Sequence, residues 1–358
     1  MRSQQTPYLE RLDHLRLLAA ALVVCFHAFH RHVGNLRPDN PLLSLIDEGH
    51  TGIGLFMVIS GFIFTVITHG VQVQYWGFLR NRLIRIYPLF LFGVFLTLTV
   101  STYNEHANYG LATFLEWVIP FRASSVSSST HFVQLWTIWV EFQFYLIFPF
   151  LKAFADRHGA RYLLGWILLL VALRAAIFLL YGSVRFVAYE SIFGRMDQFL
   201  VGMLAAGLWL ARPGRFGHPL HLAGAAFAVL AAVHWMNRHG GHVRLDAAWW
   251  IAWTTLEALA WAWAALAWLD FRHRPWPALE RALAGVGAMS FSIYVMHNFV
   301  LAVLDKGLGQ LPLSADPVRA AALNALLVAL PLAVLAAWPT YRLIERPFLA
   351  LRGRYVRA

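Results

Sequence analysis

The stretch HLRLLAAALVVCFHAFHRHV, residues 14–33, decides the class of fold. It is a run of mostly apolar side chains, and about 20 such residues are needed for a helix to cross a bilayer. The rest of the chain has the same character, since 59% of its 358 residues are hydrophobic and only 13% are charged. A soluble protein keeps about a quarter of its residues charged. The sequence therefore predicts a protein that has lipid as its main solvent.

Similar apolar runs recur along the chain and predict an all-α, polytopic integral membrane protein of about ten transmembrane helices. The predicted spans are 14–33, 51–69, 86–103, 133–151, 161–181, 193–211, 218–236, 247–269, 282–304 and 320–342. The run 111–121 is too short to span and is interpreted as re-entrant or interfacial, and the Ser-rich segment 123–130 as a flexible connection. Without a repeat or a soluble segment, residues 1–358 are predicted to form one membrane domain with no appended soluble domain.

The formal net charge of +11 predicts topology rather than nucleic-acid binding. The basic residues lie between the apolar runs instead of forming one patch, and about two thirds of them fall on the side of the N-terminus. The positive-inside rule then predicts that both termini are cytoplasmic in a multi-pass protein of the inner (plasma) membrane. The first run lacks a persuasive cleavage site and is interpreted as a retained helix. The single cysteine, Cys25, excludes a disulfide framework and a thiolate-rich metal site, and no metal site is predicted.

Arg16 and His27 are ionisable residues inside the first predicted helix. They are eleven residues apart, so they lie within about 20° of one another around the helix and about 16 Å apart along its axis. Ionisable side chains at membrane depth are costly and indicate function by default. The pair suits a long ligand with an anionic head near Arg16 and a reactive end near His27. The alternative is an Arg that reaches the headgroups and a buried His bonded to a backbone carbonyl.

The segment FLRNRLIRIYPLF, residues 78–90, places three arginines at the cytoplasmic start of the third predicted helix. The guanidinium groups of Arg80, Arg82 and Arg85 can bind phosphates in a bidentate manner. A positive-inside anchor that contacts lipid headgroups also explains them. Both interpretations remain open from the sequence.

Several other polar residues lie within or beside predicted spans. Glu141, in the middle of the fourth, must pair, coordinate a cation or stay protonated. Arg174 and Glu257 are further mid-span charges, with a structural ion pair as the default interpretation. The glycines of residues 49–64 favour close helix packing, and Ser60 among them has no recognisable partner.

Residues near the ends of later spans receive simpler interpretations. Arg195 and Asp197 begin the sixth span at the outer face, and His297 is interpreted as a polar contact on the outer side. Glu345 is interpreted as a cytoplasmic helix terminator that pairs with an Arg.

These segments together resemble the acyltransferase-3 family of membrane O-acyltransferases. The pieces that carry the resemblance occur in family order over nearly the whole chain: LDHLRLLAAALVVCFHA (12–28), GLFMVISGF (54–62), RLIRIYP (82–88), LWTIWVEFQFYLIFP (135–149), RMDQFLVGMLAA (195–206), SFSIYVMHN (290–298) and IERPF (344–348). The family's Arg-x10-His pair is met by Arg16 and His27. The chain departs from the family at His14, where glycine is common, and at Phe142, where a second carboxylate is common.

The resemblance implies transfer of an acyl group, such as acetyl, from cytoplasmic acyl-CoA to a hydroxyl of a cell-envelope glycan such as exopolysaccharide or O-antigen. Acetyl-CoA is then a co-substrate, with no tightly bound cofactor, and the partners are a glycan or lipid-linked sugar acceptor and membrane lipids, without nucleic acid. Under this hypothesis the site residues are catalytic His27, Arg16 and Glu141; donor-binding Arg82, Arg85, Arg80 and Asp13; and acceptor-side Asp197, His297 and Tyr294.

His27 is interpreted as the general base, because a neutral imidazole is tolerated at membrane depth and can exchange a proton near neutral pH. A nucleophilic His27 that forms an acyl-imidazole is equally open, and Glu141 is expected to orient the ring. The alternative class is a transporter or flippase that uses the intramembrane charges as a proton relay, although no inverted repeat is visible. A purely structural scaffold would leave Arg16, His27 and Glu141 unexplained.

Overall fold

The protein is helical along almost all of its described length. The computed structural model describes residues 8–34, 37–105, 111–119, 136–244, 246–274 and 276–357, so the Ser-rich segment 123–130 lies outside it. The helices are α1 (Glu10–Val33), α2 (Pro41–Asp47), α3 (Thr51–Ile67), α4 (Tyr75–Glu105), α5 (Leu111–Val118), α6 (Trp136–His158), α7 (Ala160–Tyr181), α8 (Arg185–Ala188), α9 (Ile192–Ala211), α10 (Pro219–Arg238), α11 (Trp250–Asp270), α12 (Pro277–Gly287), α13 (Ser290–Gly307), α14 (Pro317–Asn324), α15 (Leu330–Thr340) and α16 (Arg346–Ala350). Two short strands, β1 (Gln72–Val73) and β2 (Val356–Arg357), pair antiparallel with Gln72 opposite Arg357.

Among the described residues, six helices are long and apolar enough to cross a membrane: Glu10–Val33, Tyr75–Tyr103, Trp136–His158, Ala160–Tyr181, Pro219–Arg238 and Pro317–Ala350. Two bent pairs qualify if each counts as one span, α2 with α3 (77°) and α12 with α13 (65°). The architecture is therefore an all-α, multi-pass membrane protein with six to eight such spans. The predicted count of ten is not confirmed.

Large apolar side chains cover the outer surfaces of the helices. Leu168, Leu179 and Leu335 are 69%, 84% and 67% exposed. Such surfaces are unfavourable in water but are the normal contact surface of a helix in hydrocarbon. The polar groups that the sequence places inside spans consequently turn inward, toward other helices.

Two predicted boundaries differ from the structure in ways that affect the site. Helix α4 begins at Tyr75 rather than at 86, so the arginine cluster of residues 80–85 lies within the helix and not before it. The predicted span 282–304 is broken between α12 and α13. At this break a Cβ on Gly287 would lie 1.9 Å from the carbonyl oxygen of Asp13, so glycine permits the junction to pack directly on α1.

Glu345 does not end a helix. The helices α14, α15 and α16 form one continuous helix, Pro317–Ala350, which contains two π-helical turns, Ala325–Ala329 and Tyr341–Glu345. Glu345 is buried and accepts a hydrogen bond of 2.7 Å from Ser292 Oγ. The prediction that Glu345 ends a helix is therefore wrong. Among the described residues no basic group forms a salt bridge with it within 4.0 Å, and the largest charge effect on it comes from Arg85.

Close backbone packing joins α3 to α9 at the centre of the molecule. A Cβ on Gly61 would lie 2.0 Å from the carbonyl oxygen of Phe199, and one on Gly202 would lie 2.1 Å from that of Val58. Neither helix could keep this separation with a larger residue at the contact. The glycine-rich segment 49–64 is therefore a packing surface, as its pattern indicated.

Two buried ion pairs hold α7, α9 and α11 together. Arg174 Nη2 lies 2.8 Å from Asp197 Oδ2, and both side chains are fully buried. Arg195 Nη1 lies 3.6 Å from Glu257 Oε2, which also accepts a 2.6 Å hydrogen bond from Gln198. Arg174 and Glu257 are thus both in structural ion pairs, each with a partner on α9.

Candidate active site

A cavity opens between α1, α3, α4, α6 and α13. It holds about 890 Å³ of space not occupied by atoms, its open mouth included. Much of the wall is apolar, from side chains such as Ile53, Met57 and Phe291. The polar part of the wall consists of Arg16, Ser60, Arg82, Arg85, Thr137, Glu141, Tyr145, Ser290 and Tyr294. An apolar wall with a few convergent polar groups is typical of a ligand-binding site.

Arg82 is held in an aromatic cage at the cavity. Its guanidinium carbon lies 4.7 Å from the ring centroid of Phe64 and 5.3 Å from that of Phe78, and its Nε is buried without a hydrogen-bond partner. In the described part of the chain, neither Arg82 nor Arg85 forms a salt bridge within 4.0 Å. A buried cation without a counter-ion is costly. This cost applies to Arg82, which is buried, whereas Arg85 is half-buried and its charge also acts on Glu345. The two guanidinium groups at the cavity suit an anionic ligand.

Arg16 is oriented by its own helix. Its Nη1 donates a 2.6 Å hydrogen bond to Asp13 Oδ1, and Asp13 also accepts a hydrogen bond from the Tyr8 hydroxyl. Burial and this hydrogen bond raise the pKa of Tyr8, which keeps its proton for that contact. Asp13 is buried while Arg16 is half-buried and lines the cavity. Asp13 therefore positions Arg16 through this hydrogen bond.

The C-terminal segment returns to the arginine-rich side of the cavity. Asn81, on α4, donates a 2.6 Å hydrogen bond to the carbonyl oxygen of Gly353 and accepts one of 3.0 Å from its backbone N–H. Arg352 is brought close to the other arginines by this docking. Burial, followed by the positive charges of Arg85 and Arg82, lowers the pKa of Arg352 to about 10. Such mutual repulsion indicates a site that an anion would stabilise.

Glu141 is anchored by two hydroxyl groups in the cavity wall. Ser60 Oγ donates a 3.0 Å hydrogen bond to Glu141 Oε1, and the Tyr145 hydroxyl donates a second one to the same oxygen. The partner that the sequence did not reveal for Ser60 is thus Glu141, across from α3 to α6. The described structure shows no hydrogen bond between Glu141 and His27, so the predicted orienting role has no contact to support it.

A short chain of contacts leads from the cavity wall to His27. The hydroxyl groups of Tyr294 and Thr137 share a 2.6 Å hydrogen bond at the wall. Directly behind them, His297 Nδ1 donates a 2.6 Å hydrogen bond to the carbonyl oxygen of Tyr294. His297 Nε2 in turn lies 3.3 Å from His27 Nδ1, with the two ring centroids 5.0 Å apart. His27 is half-buried and is not among the residues that line the cavity.

The backbone assigns the tautomers of both histidines. A carbonyl oxygen only accepts, so His27 Nδ1, which lies 2.9 Å from the carbonyl oxygen of Val23, carries a proton. His297 Nδ1 carries one for the same reason, which leaves His297 Nε2 to accept from His27. The neutral His27 ring consequently has its lone pair on Nε2. A lone pair there is what a general base or a nucleophile requires.

The structure gathers half of the predicted site residues at the cavity and leaves the others elsewhere. Those on the wall are Arg16, Arg82, Arg85, Glu141 and Tyr294. Behind or outside it lie His27, His297, Asp13, Asp197 and Arg80. The side chain of Arg80 is exposed and Asp197 is fully buried against Arg174.

Sequence reasoning missed Tyr145 and Arg352 as residues of the site. Tyr145 is not among the predicted site residues, although its position one helical turn after Glu141 is a usable signal. Arg352 was counted only as part of the charge asymmetry that indicates topology. No local signal could have placed it, because its position depends on the docked C-terminal segment.

These features define a class: a multi-pass membrane protein with a ligand cavity formed among its helices. The chain belongs to the acyltransferase-3 family, since the family model described as an acyltransferase domain matches residues 9–342. This match includes every residue that lines the cavity. No curated protein and no solved structure matches the chain. The protein is a membrane acyltransferase.

Proposed function

We propose that the protein transfers an acetyl group from cytoplasmic acetyl-CoA to a hydroxyl of a cell-envelope glycan, within the inner membrane. Family membership supports acyl transfer as the reaction class. The choice of donor and the roles of the residues are argued from the cavity and its surroundings.

One observation carries the choice of donor. Arg16, Arg82 and Arg85 share the wall of one largely apolar cavity, and none of the salt bridges in the described chain involves Arg82 or Arg85. The charge of Arg85 acts on the buried Glu345 without a direct ion pair. CoA is a long molecule with phosphates at one end and a thioester at the other. Guanidinium groups bind phosphates in bidentate geometry, and the apolar wall accommodates the arm that carries the thioester. Arg352 adds positive charge behind the same end of the site.

His27 is the group that handles the proton. The acceptor hydroxyl oxygen attacks the thioester carbonyl carbon, a C–O bond forms, the C–S bond breaks and CoA leaves as the thiolate. His27 Nε2 removes the proton of the hydroxyl and delivers it to the thiolate, which returns the imidazole to its initial state. His297 supports this role because it accepts from His27 Nδ1 and so leaves Nε2 free.

The second route passes through an acyl-enzyme. His27 Nε2 attacks the thioester carbonyl carbon, the C–S bond breaks, and CoA leaves as the thiolate while an acetyl-imidazolium forms. The acceptor hydroxyl oxygen then attacks the acetyl carbon, the C–N bond breaks, and the hydroxyl proton goes to the CoA thiolate, which leaves His27 neutral. In both routes the thioester must pass Tyr294, because this residue lies between the cavity and the His27–His297 pair. Trapping of label on the protein after incubation with labelled acetyl-CoA alone separates the two routes.

Donor binding is tested with the full-length protein in lipid nanodiscs. Arg85→Ala should weaken acetyl-CoA binding by at least about tenfold, because one charge-assisted hydrogen bond contributes about 1.5 kcal/mol or more. Arg80→Ala is the matched control, because Arg80 is on the same helix and equally cationic but is exposed and outside the cavity wall. Unchanged binding in Arg85→Ala would make the arginines lipid anchors and remove the basis of the donor assignment.

The acceptor is tested in cells. Mass spectrometry of envelope glycans from cells with and without the protein should show acetyl esters that depend on it. The absence of any protein-dependent acyl ester would refute the glycan acceptor. The result of the donor-binding experiment would not be affected.

Transport is the second candidate, and one observation favours it. The bent pairs α2–α3 and α12–α13 both pack on α1, and helices broken at membrane depth are common in transporters. A transporter would move its substrate unchanged and would not consume acetyl-CoA. The two are distinguished by measuring free CoA: its release in the presence of an acceptor glycan, and not without one, would support the transferase.

A further inference from the structure

Two histidines and a carboxylate converge at the break between α2 and α3. His50 Nε2 lies 3.1 Å and His242 Nδ1 lies 3.0 Å from the same oxygen, Oε2 of Glu48. Potential ligand atoms of these three residues all lie within 4.8 Å of one another. Glu48 and His50 are each only 2% exposed. The cluster is therefore a set of converging N and O donors and not a collection of solvated surface groups.

The backbone is shaped to hold this arrangement. Gly240 and Gly241 have φ values of 116° and 59°, which favour glycine, and they lead directly into His242. A Cβ on Gly241 would lie 1.9 Å from Glu48 Oε1, so only glycine lets the carboxylate approach the chain this closely. The backbone N–H of His242 also donates a 3.2 Å hydrogen bond to Glu48 Oε2. The turn before His242 is thus fitted to the carboxylate.

A second layer surrounds the three residues and adds negative charge. Asp47 accepts a 3.0 Å contact from His30 Nε2, and Asn237 Nδ2 donates to both Asp47 and, at 3.3 Å, to Glu48 Oε1. His30, Asp47, Glu48 and His242 line a small pocket at this end of the molecule. The two neighbouring carboxylates bring two negative charges to the cluster. Arg37 also lines the pocket, but its guanidinium donates to the backbone carbonyl oxygens of Asn237 and Gly240.

We propose that Glu48, His50 and His242 bind a divalent cation of the zinc type, with the fourth position open to the pocket. Imidazole nitrogen and carboxylate oxygen are both normal zinc ligands, and three protein ligands with one open position is a common zinc arrangement. The ion would offset the charges of Glu48 and Asp47.

Metal binding also resolves the protonation of His50. In the hydrogen-bonded cluster its Nε2 carries the proton given to Glu48, and its Nδ1 is buried without a partner. Coordination through Nε2 requires the other tautomer, with the proton on Nδ1. The proton moves from one ring nitrogen to the other, and no existing hydrogen bond of Nδ1 is lost. His242 can shift its proton from Nδ1 to Nε2 in the same way.

The site lies at the end of α1 opposite Arg16 and is separate from the acyl-transfer site. The ring of Phe26 packs between the two: its centroid lies 5.0 Å from that of His27 and 5.5 Å from that of His50. A bound ion would join the α2–α3 break to the 3-10 turn Gly241–Val243 across this ring. It would thereby fix the chain on the far side of His27.

The test measures the metal directly on purified full-length protein that carries a tag without histidine. After addition of Zn²⁺ and gel filtration in chelator-free buffer, the wild type should retain about one equivalent by elemental analysis. Glu48→Gln and His242→Ala should each weaken Zn²⁺ binding by at least about 100-fold, since loss of a ligand exceeds the 10–100-fold cost of losing a supporting residue. Co²⁺ added in place of Zn²⁺ should give visible d–d absorption in the wild type and not in Glu48→Gln or His242→Ala.

His239→Ala is the matched control. His239 is in the same loop, but it is exposed and stacked on Trp235 at 4.3 Å, so its variant should retain Zn²⁺ as the wild type does. Glu48→Gln keeps the shape of the side chain and serves if His242→Ala does not fold. A wild type that retains no Zn²⁺ and shows no Co²⁺ absorption overturns the proposal, as does Zn²⁺ that is retained equally by Glu48→Gln. Neither readout depends on acyl transfer.

Discussion

His297 Nε2 lies 3.3 Å from His27 Nδ1, and the hydrogen bond between them joins α13 to α1 beside the cavity. His297 is itself fixed by the carbonyl oxygen of Tyr294 at 2.6 Å. The two rings therefore form an ordered pair in which one imidazole sets the proton position of the other. Without His297, only the carbonyl oxygen of Val23 would hold the proton on His27 Nδ1 and keep the lone pair on Nε2.

His27→Ala should abolish acyl transfer while the protein remains inserted. Loss of a general base reduces the rate by about 10²–10⁴-fold, and an alanine is well tolerated in a membrane helix. His27→Gln should remain close to the alanine variant, because it cannot transfer a proton. The measurement is acetyl transfer by purified protein at saturating donor. Near wild-type transfer by His27→Ala would make His27 a core histidine and remove the proposed catalytic centre.

His297 should act as a positioning residue. His297→Phe removes one of the two acceptors of His27 Nδ1–H and leaves the Val23 carbonyl oxygen, so kcat should fall by less than in His27→Ala while the KM for acetyl-CoA stays unchanged. His297→Gln should recover part of the loss, since its amide oxygen can accept the same hydrogen bond. A rise in KM without a fall in kcat would show that His297 contributes to binding instead.

The positive charge of Arg352 should lower the stability of the folded protein and raise its affinity for the donor. Its pKa is lowered to about 10 by burial and by Arg85 and Arg82, so its charge destabilises the folded state at pH values below 10. Arg352→Gln should therefore raise the thermal unfolding temperature without donor and weaken acetyl-CoA binding by up to about tenfold. Wild-type affinity should be flat near pH 8 and fall as the pH approaches 10, and the variant should lack this fall. A lowered unfolding temperature would contradict this assignment.

Asp197 is predicted to be structural rather than to contact the acceptor. Asp197→Ala leaves the guanidinium of Arg174 buried without its partner, a change that typically costs about 3–5 kcal/mol. The unfolding temperature in detergent should fall strongly, while Asp246→Ala, at an exposed site, should leave it unchanged. A normal unfolding temperature combined with a raised acceptor KM would restore the acceptor-side role.

Topology follows from two contacts between distant segments. The pairing of Gln72 with Arg357 requires the α3–α4 connection and the C-terminus to lie on one side of the membrane. Arg274 Nη1, 3.4 Å from Glu10 Oε2, ties the start of α1 to the α11–α12 connection. Reporter fusions after residues 75 and 357 should read cytoplasmic, and one after residue 310 periplasmic. Opposite readings for the fusions after 75 and 357 would contradict the strand pairing.

The sequence predicted the class of fold and part of the site for definite physical reasons. Long apolar runs have one stable solution in a bilayer, so the helices could be placed without tertiary information. The sequence predicted Arg16 as a site residue, and it lies on the cavity wall. This could be predicted from one helix alone, because a charged side chain near the end of a span can turn inward. Arg16 and His27 do lie on one helix, α1, but His27 lies behind Tyr294 rather than on the wall.

The choice of partners could not be predicted. Arg174 pairs with Asp197 although Glu257 is another mid-span carboxylate, and that choice depends on how three helices pack. Glu141 is the predicted partner of His27, but the contact is made by His297, and helical periodicity does not relate α13 or α6 to α1. The bend between α12 and α13 also depends on a tertiary contact, the approach of Gly287 to α1.

The docked C-terminal segment has a practical consequence for anyone who handles this protein. Residues 353–355 pack against α4 beside the cavity, with the ring centroid of Tyr355 5.8 Å from the guanidinium carbon of Arg82 and Gly353 hydrogen-bonded to Asn81. A purification tag fused after this point would emerge beside the mouth through which we expect the donor to enter. Truncation before Arg352 would remove these contacts with α4 and the positive charge of Arg352 near Arg82 and Arg85. Activity assays are therefore best made with the C-terminus unmodified.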